Sequence, residues 1–224
     1  MNLLLLAIAP IFIVILYIYF KDKYEKEPKR LLFYNFLLGA IVSVLITTIL
    51  YYVFDIVLLL PNETSIFQQF IKAFIVVGLT EEFSKYVIVR YFAQRNKAFN
   101  EPFDGIVYAV MVSMGFAATE NILYVLEGGY ETALLRAFTA VPAHATFGIL
   151  MGFYMGKAKF SKNRIGLNLI GLLSAIIFHG AYDFFLFIDF LPGIWIGAFV
   201  SLLIGIFLSK RAIKHHQEHS NFNV

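Results

Sequence analysis

The sequence predicts an all-α fold, a polytopic integral membrane helix bundle of about seven transmembrane helices, and three observations lead there. Apolar residues make up 60% of the 224 and charged residues only 15%, against roughly half and a quarter in ordinary globular chains. Mean hydropathy is +0.76. The apolar residues also fall into runs of span length, since a hydrocarbon core of about 30 Å takes about 20 helical residues to cross. The 25 Phe and 13 Tyr suit lipid-facing and interfacial positions. This composition excludes a disordered tail, a nucleic-acid binder, a collagen-like repeat and a secreted disulfide scaffold. With no cysteine in the chain, disulfides, thiolate metal sites and a cysteine nucleophile are excluded together.

Taken in order, the spans are roughly 2–20, 31–54, 67–90, 104–126, 132–156, 166–187 and 191–208. The first has no basic region before it and no small-residue cleavage site, and basic residues follow it, so it reads as an uncleaved span rather than a signal peptide. The second is apolar with no charge. The third carries Glu81, Glu82 and Lys85 near its middle. The fourth opens after Pro102 with Asp104, which reads as a helix cap. The fifth carries Pro142, which frees a carbonyl one turn back near Phe138 and bends the helix. The sixth holds His179 and Asp183; the seventh is uncharged in its centre. No loop reaches domain size and no internal repeat is seen, so residues 1–224 form one membrane-embedded domain. Residues 209–224 read as a basic cytoplasmic tail, with His215, His216 and His219 solvated.

Loop charge sets the orientation. Lys21, Lys23, Lys26, Lys29 and Arg30 follow the first span, and Arg90, Arg95 and Lys97 the third. Lys157, Lys159, Lys162 and Arg164 follow the fifth, and Lys210, Arg211 and Lys214 the seventh. The alternate loops carry Asp55, Glu63, Glu127, Glu131 and Asp189, with only Lys72 and Arg136 nearby. The positive-inside rule then places the N-terminus outside and the C-terminus in the cytoplasm of a multi-pass protein in the cell membrane.

Charges at bilayer depth are costly and mark a site or a pathway. They fall in four spans: Glu81, Glu82 and Lys85 in the third, Glu120 and Asn121 in the fourth, His144 in the fifth, His179 and Asp183 in the sixth. Glu81 and Lys85 are four apart on one helix face, as are His179 and Asp183. The stripe Gly148, Gly152, Gly156, with Gly78, Gly115, Ala117 and Ala118, lets neighbouring helices approach closely. Lys85 is a charge partner of the glutamates, Asn121 serves equally as interhelical glue, and Phe116 and Tyr182 read as packing. Two chemistries use carboxylates and imidazoles at mid-membrane: a hydrolase, in which they activate water and hold an oxyanion, and a proton- or cation-coupled transporter. The lack of a repeat favours the hydrolase.

Glu-Glu-x-x-Lys (81–85), Phe-x-x-x-Glu (116–120), the single His144 in the next span and His-x-x-x-Asp (179–183), each in its own span and in this order, resemble the PrsW family, as does the stretch PFDGIVYAVMVSMGFAATENILY. That family shares a superfamily with CAAX prenyl endopeptidases, bacterial CPBP proteins and a non-catalytic gamma-secretase subunit. The resemblance implies a membrane-embedded peptidase performing site-1 cleavage of a single-pass protein such as an anti-sigma factor, on the extracytoplasmic side. A non-catalytic scaffold is the other role known for the fold. By motif, Glu81 and Glu82 are the catalytic glutamates, with Glu120, His144, His179 and Asp183 completing the site and Lys85 and Asn121 supporting it. Glu120 stands where the prenyl endopeptidases have His. Zinc through His144, His179 and Glu120 is one expectation; water activation without a metal is favoured over it, because Lys85 beside the glutamates disfavours a nearby cation.

Overall fold

A computed structural model describes residues 2–220, which are 82% helical and contain no strand. The fold class is that of an all-α membrane bundle, as expected. Seven helical rods follow one another among the described residues: α1 (Leu3–Lys21), α2 (Lys29–Val57), α3 (66–93), α4 (Pro102–Phe138), α5 (Ala140–Lys159), α6 (Arg164–Phe187) and α7 (Ile196–Glu218). By length and apolarity alone, five helical stretches are able to cross a membrane, with Pro102–Lys159 counting as one. Within that stretch the chain turns back on itself at Gly129, whose φ of 68° is a left-handed conformation that glycine adopts without a steric penalty. Past the turn, Arg136 returns to bond Glu120 and Asn121.

Polar caps start the rods. The Asn2 side chain accepts from Leu4 N at 3.0 Å, Ser65 caps α3, Asn163 caps α6, and Glu101 with Asp104 forms a capping box on α4. Asp104 is therefore the cap that the sequence indicates. The bend expected near Phe138 appears at Thr139 (φ −124°, ψ −77°), one turn before Pro142.

The first half of α4, from Phe103 to Ala118, is the buried axis of the molecule. Small residues let the other rods reach it. A Cβ on Gly105 would strike the backbone of Gly152 and Gly156 on α5, and one on Gly115 the backbone of α2 at Phe36 and Ala40. Lipid contacts replace the hydrophobic effect between spans, so such close backbone packing is what holds them. Exposed Phe12, Ile13 and Phe20 on α1, and Leu45, Ile49 and Tyr52 on α2, form an apolar outer surface.

One expectation is corrected at the C-terminus. Residues 209–218 continue α7 rather than forming a solvated tail: Ser209, Ala212, Ile213 and His216 are buried, and His216 stacks on Phe153 with ring centroids 4.5 Å apart. Basic residues mark a cytoplasmic face, and an amphipathic helix end carries them there as well as a loop does. Gln217 also bonds the Lys21 carbonyl, and Ser220 the Glu101 carboxyl. The α1–α2 connection is packed against this end, with Glu27 bonded to Tyr108. Burial, reinforced by neighbouring Asp104, pushes the Glu27 carboxyl up to about 10, and burial pushes Asp22 to about 6.

Candidate functional site

α3 changes character where it meets the site. A π-helical stretch, Lys72–Leu79, gives way at Thr80 to an α-helical stretch carrying Glu81, Glu82 and Lys85; π turns inside helices recur at functional sites. Hydroxyls fix the rotation of this segment. Ser84 Oγ lies 2.6 Å from Ser43 Oγ, accepts from Thr47 Oγ1 at 2.9 Å and donates to the Glu81 carbonyl at 2.7 Å, tying α3 to α2.

The same segment carries Glu81, Glu82 and Lys85 into the bundle, all three nearly inaccessible. Lys85 Nζ donates to Glu82 Oε1 at 2.7 Å and Glu81 Oε2 at 3.3 Å. It also lies 3.3 Å from His144 Nδ1 on α5 and 4.2 Å from the centre of the Phe116 ring on α4. His179, from α6, sets Nδ1 2.8 Å from Glu82 Oε1 and Nε2 3.2 Å from Asp183 Oδ2, one turn along its own helix. Phe147 stacks on that imidazole, centroids 4.8 Å apart at 17°. His144 directs Nε2 at Glu120 Oε2, 2.8 Å away, and Ser113 Oγ holds its carbonyl from α4 at 2.7 Å.

The two imidazoles are thus arranged alike. Each has one ring nitrogen on an outlying carboxylate, Glu120 or Asp183, and the other turned toward the Glu81–Glu82–Lys85 centre. Outlying carboxylates of this kind fix the tautomer and rotation of histidines that bind metals or move protons. Asn121 stands one step further out, donating to the Ala7 carbonyl at 2.7 Å and accepting from Arg136 Nε at 2.6 Å, so it joins α1 to α4.

All six predicted site residues and Lys85 therefore meet, from four helices. Two further residues join them. Tyr51, on α2, donates its hydroxyl to Glu81 Oε1 at 2.8 Å. Arg136 donates to Glu120 Oε2 at 2.8 Å. Tyrosine is common near membrane interfaces, and Arg136 looks like a loop charge, so neither stands out by type or spacing. The fold-back at Gly129 is what returns Arg136 to Glu120.

A cleft of about 560 Å³ leads to the centre, lined by Glu81, Glu120, His144, His179 and Asp183 and, further along, by Lys72, Leu135, Thr139 and Leu186. Glu81 is the only one of the two adjacent glutamates on its wall; Glu82 lies beneath, fully buried. A second cavity of about 550 Å³ adjoins it, sharing Tyr51, Lys72 and Val76.

The donor set suits a metal. One ligand atom from each of Glu81, Glu82, His144 and His179 lies within 4.8 Å of the others, and mixed imidazole and carboxylate donors are those of catalytic zinc. Glu82 Oε2 is buried with no hydrogen-bond partner, which leaves it able to accept a ligand. The converging group contains His144 and His179 of the zinc set expected from the sequence but not Glu120. Glu120 lies behind His144, on its far nitrogen, and Glu81 and Glu82 stand on the near side.

The sequence profile of the family described as "PrsW family intramembrane metalloprotease" matches residues 27–209. Curated relatives that carry the name protease PrsW include three described by their similarity to this chain. That of Geobacillus kaustophilus is 38% identical, covering 90% of this chain and 87% of its own. That of Oceanobacillus iheyensis is 40% identical over 83% of each chain, and that of Bacillus subtilis 38% identical over 80% of each. No solved structure matches the chain.

Proposed function

The chain belongs to the PrsW family of membrane-embedded proteases, and from that premise we propose that it cuts a single-pass membrane protein such as an anti-sigma factor, on the extracytoplasmic side, with Glu81 as the base that activates water. The observation that carries this reading is the difference between the paired glutamates. Glu81 faces the cleft, whereas Glu82 is sealed beneath it between Lys85 and His179. A base must reach the proton that it removes, and only Glu81 has that access.

The remaining side chains then have defined tasks. Tyr51 holds Glu81 Oε1, so Oε2, whose bond from Lys85 is the longer one at 3.3 Å, would receive the proton from water. Glu81 afterwards delivers that proton to the departing amine. Glu120 and Asp183 orient the imidazoles, and Arg136 keeps Glu120 in place. The family description and the converged donors support a metal over metal-free activation. His144, His179 and Glu82 would hold it, a set of two histidines and one carboxylate like that of catalytic zinc sites. When bound, a divalent ion lowers the pKa of its water and polarises the scissile carbonyl.

The cleft supports the side of attack. Lys72, Leu135, Thr139, Leu186 and Phe187 line it, at the start of α3, the return into α5 and the end of α6. These are the ends that the loop charges assign to the extracytoplasmic face. Backbone leaves a helix most easily near a membrane surface, where water satisfies its freed hydrogen-bonding groups. The test is purified protein in detergent with a single-pass substrate, with and without a strong chelator, and mass spectrometry of the products. A cut in the extracytoplasmic half of the substrate helix or just outside it, abolished by chelation, is expected. A cut in the cytoplasmic half overturns the orientation; no cut at all by the metal-loaded protein overturns the assignment of activity.

A further inference from the structure

Three of the four converging donors already share a cation. Lys85 Nζ lies 2.7 Å from Glu82, 3.3 Å from Glu81 and 3.3 Å from His144 Nδ1, and those donors belong to the group whose ligand atoms lie within 4.8 Å of one another. Donors so spaced enclose one small volume, and the ammonium is in it. A zinc ion needs its donors at about 2.0–2.2 Å, which leaves no space for a second cation between them. We propose that the Lys85 ammonium occupies the seat of the metal, so that lysine and divalent ion are alternative occupants of one site. This rests on the reading of the centre as a metal-holding protease site.

The surroundings fit a side chain that moves. Lys85 is a flexible four-carbon chain whose compact ammonium makes no fork-like, geometrically locked pair. The Phe116 ring face, 4.2 Å away, offers it a second favourable contact, and Glu120, beyond His144, supplies a further negative charge. With lysine seated, one of the two glutamate charges is balanced inside the bundle and the helices stay together before any metal arrives. An entering divalent ion balances both and drives the ammonium outward. The ligand chemistry follows from the donors: a dication that accepts imidazole and carboxylate together, as zinc does, rather than a hard ion that prefers oxygen alone.

The experiment strips the full-length protein in detergent with a chelator, removes the chelator, and titrates it with Zn²⁺ and Co²⁺ while bound metal and cobalt absorption are read. Lys85→Met should bind the ion about tenfold or more tightly than wild type, the equivalent of one charge-assisted hydrogen bond no longer displaced. His144→Ala added to it should remove that gain. Equal or weaker affinity of Lys85→Met overturns the proposal, since lysine would then be neutral toward the metal or support it. Wild-type protein gives a second reading that needs no substitution. Labelled by an amine reagent and read by mass spectrometry, Lys85 should be protected in the stripped protein and react once zinc is added; unchanged protection overturns the shared seat. If neither protein takes up metal, the proposal falls together with the metal reading. Substrate cleavage persisting in chelator then leaves the protease reading intact.

Discussion

Glu81→Gln and Glu82→Gln look alike on paper and should behave differently. Glu81 Oε1 accepts from Tyr51, which a Gln carbonyl oxygen also does, and the hydrogen bond from Lys85 to Oε2 is long and weak at 3.3 Å. Replacing it should cost about 1 kcal/mol of stability. Glu82 Oε1 takes both Lys85 at 2.7 Å and His179 Nδ1 at 2.8 Å with no exposure to water. Its loss leaves an ammonium buried against one weak partner, a class of change that costs about 3–5 kcal/mol. For chains of this size, about 2–4 °C of melting temperature goes with each kcal/mol. Glu82→Gln should therefore melt about 6–20 °C below wild type and Glu81→Gln within about 4 °C of it. Cleavage should nevertheless fall about 10²–10⁴-fold in Glu81→Gln, the usual contribution of a general base. The assays are melting in detergent, followed by the fluorescence of the single Trp195, and substrate processing in membranes. Glu81→Gln keeping more than about a tenth of the activity, or melting as low as Glu82→Gln, refutes the division of roles.

His179→Ala should be more damaging to cleavage than Asp183→Asn, because the carboxylate only orients the ring from 3.2 Å; the reverse order in a processing assay would place Asp183 in the chemistry itself. Gly152→Ala should destabilise by about 1–3 kcal/mol, since its Cβ meets the backbone of Gly105 and Ile106. Gly129→Ala has open space around it and bears only the strain of its positive φ, about 1–3 kcal/mol; an unchanged melting temperature for Gly152→Ala with intact insertion would contradict the packing account of Gly152. Stability should also fall with rising pH. Glu27, raised by burial from 4.5 to about 10, holds a proton in the folded chain across a window in which the unfolded chain has lost it. Melting temperatures between pH 6 and 9 should slope downward in wild type and flatten in Glu27→Gln, and an unchanged slope would show that Glu27 is not responsible.

Within each helix the site was legible, and between helices it was not. Spacing of three and four put Glu81, Glu82 and Lys85 on one face, and His179 with Asp183 on another, and both groupings hold at 2.7–3.3 Å. Their convergence followed from the cost of isolated charge in lipid. Spacing says nothing, however, about which rotation of α2 faces α3, so Tyr51 went unseen until the Ser43–Thr47–Ser84 hydroxyl cluster fixed that contact. The same gap hid the different exposures of Glu81 and Glu82, because adjacent residues on a helix differ by about 100° whatever lies around them. Residues 209–218 were misread because basic composition reports a side of the membrane and not whether a helix has ended.

Charge balance argues that the cluster does more than hold helices together. Glu81, Glu82, Glu120 and Asp183 bring four formal negative charges to the interior, and Lys85 and Arg136 return two positive ones. Counted by these formal charges alone, two negative charges remain. A buried network with only a structural task is most stable when its charges cancel and every polar atom is bonded, because each uncompensated ion keeps its desolvation cost. This network does neither: it has a surplus, and Glu82 Oε2 has no hydrogen-bond partner. With Lys85 displaced the surplus would be three negative charges, which an entering divalent ion would reduce to one. The surplus lies where the cleft, the two inward-facing ring nitrogens and the exposed edge of Glu81 meet. Helices α1, α2 and α7 carry no share of it and pack beside the four that do, so the bundle isolates an unbalanced polar centre instead of removing one, as the proposed site for a cation and a water molecule requires.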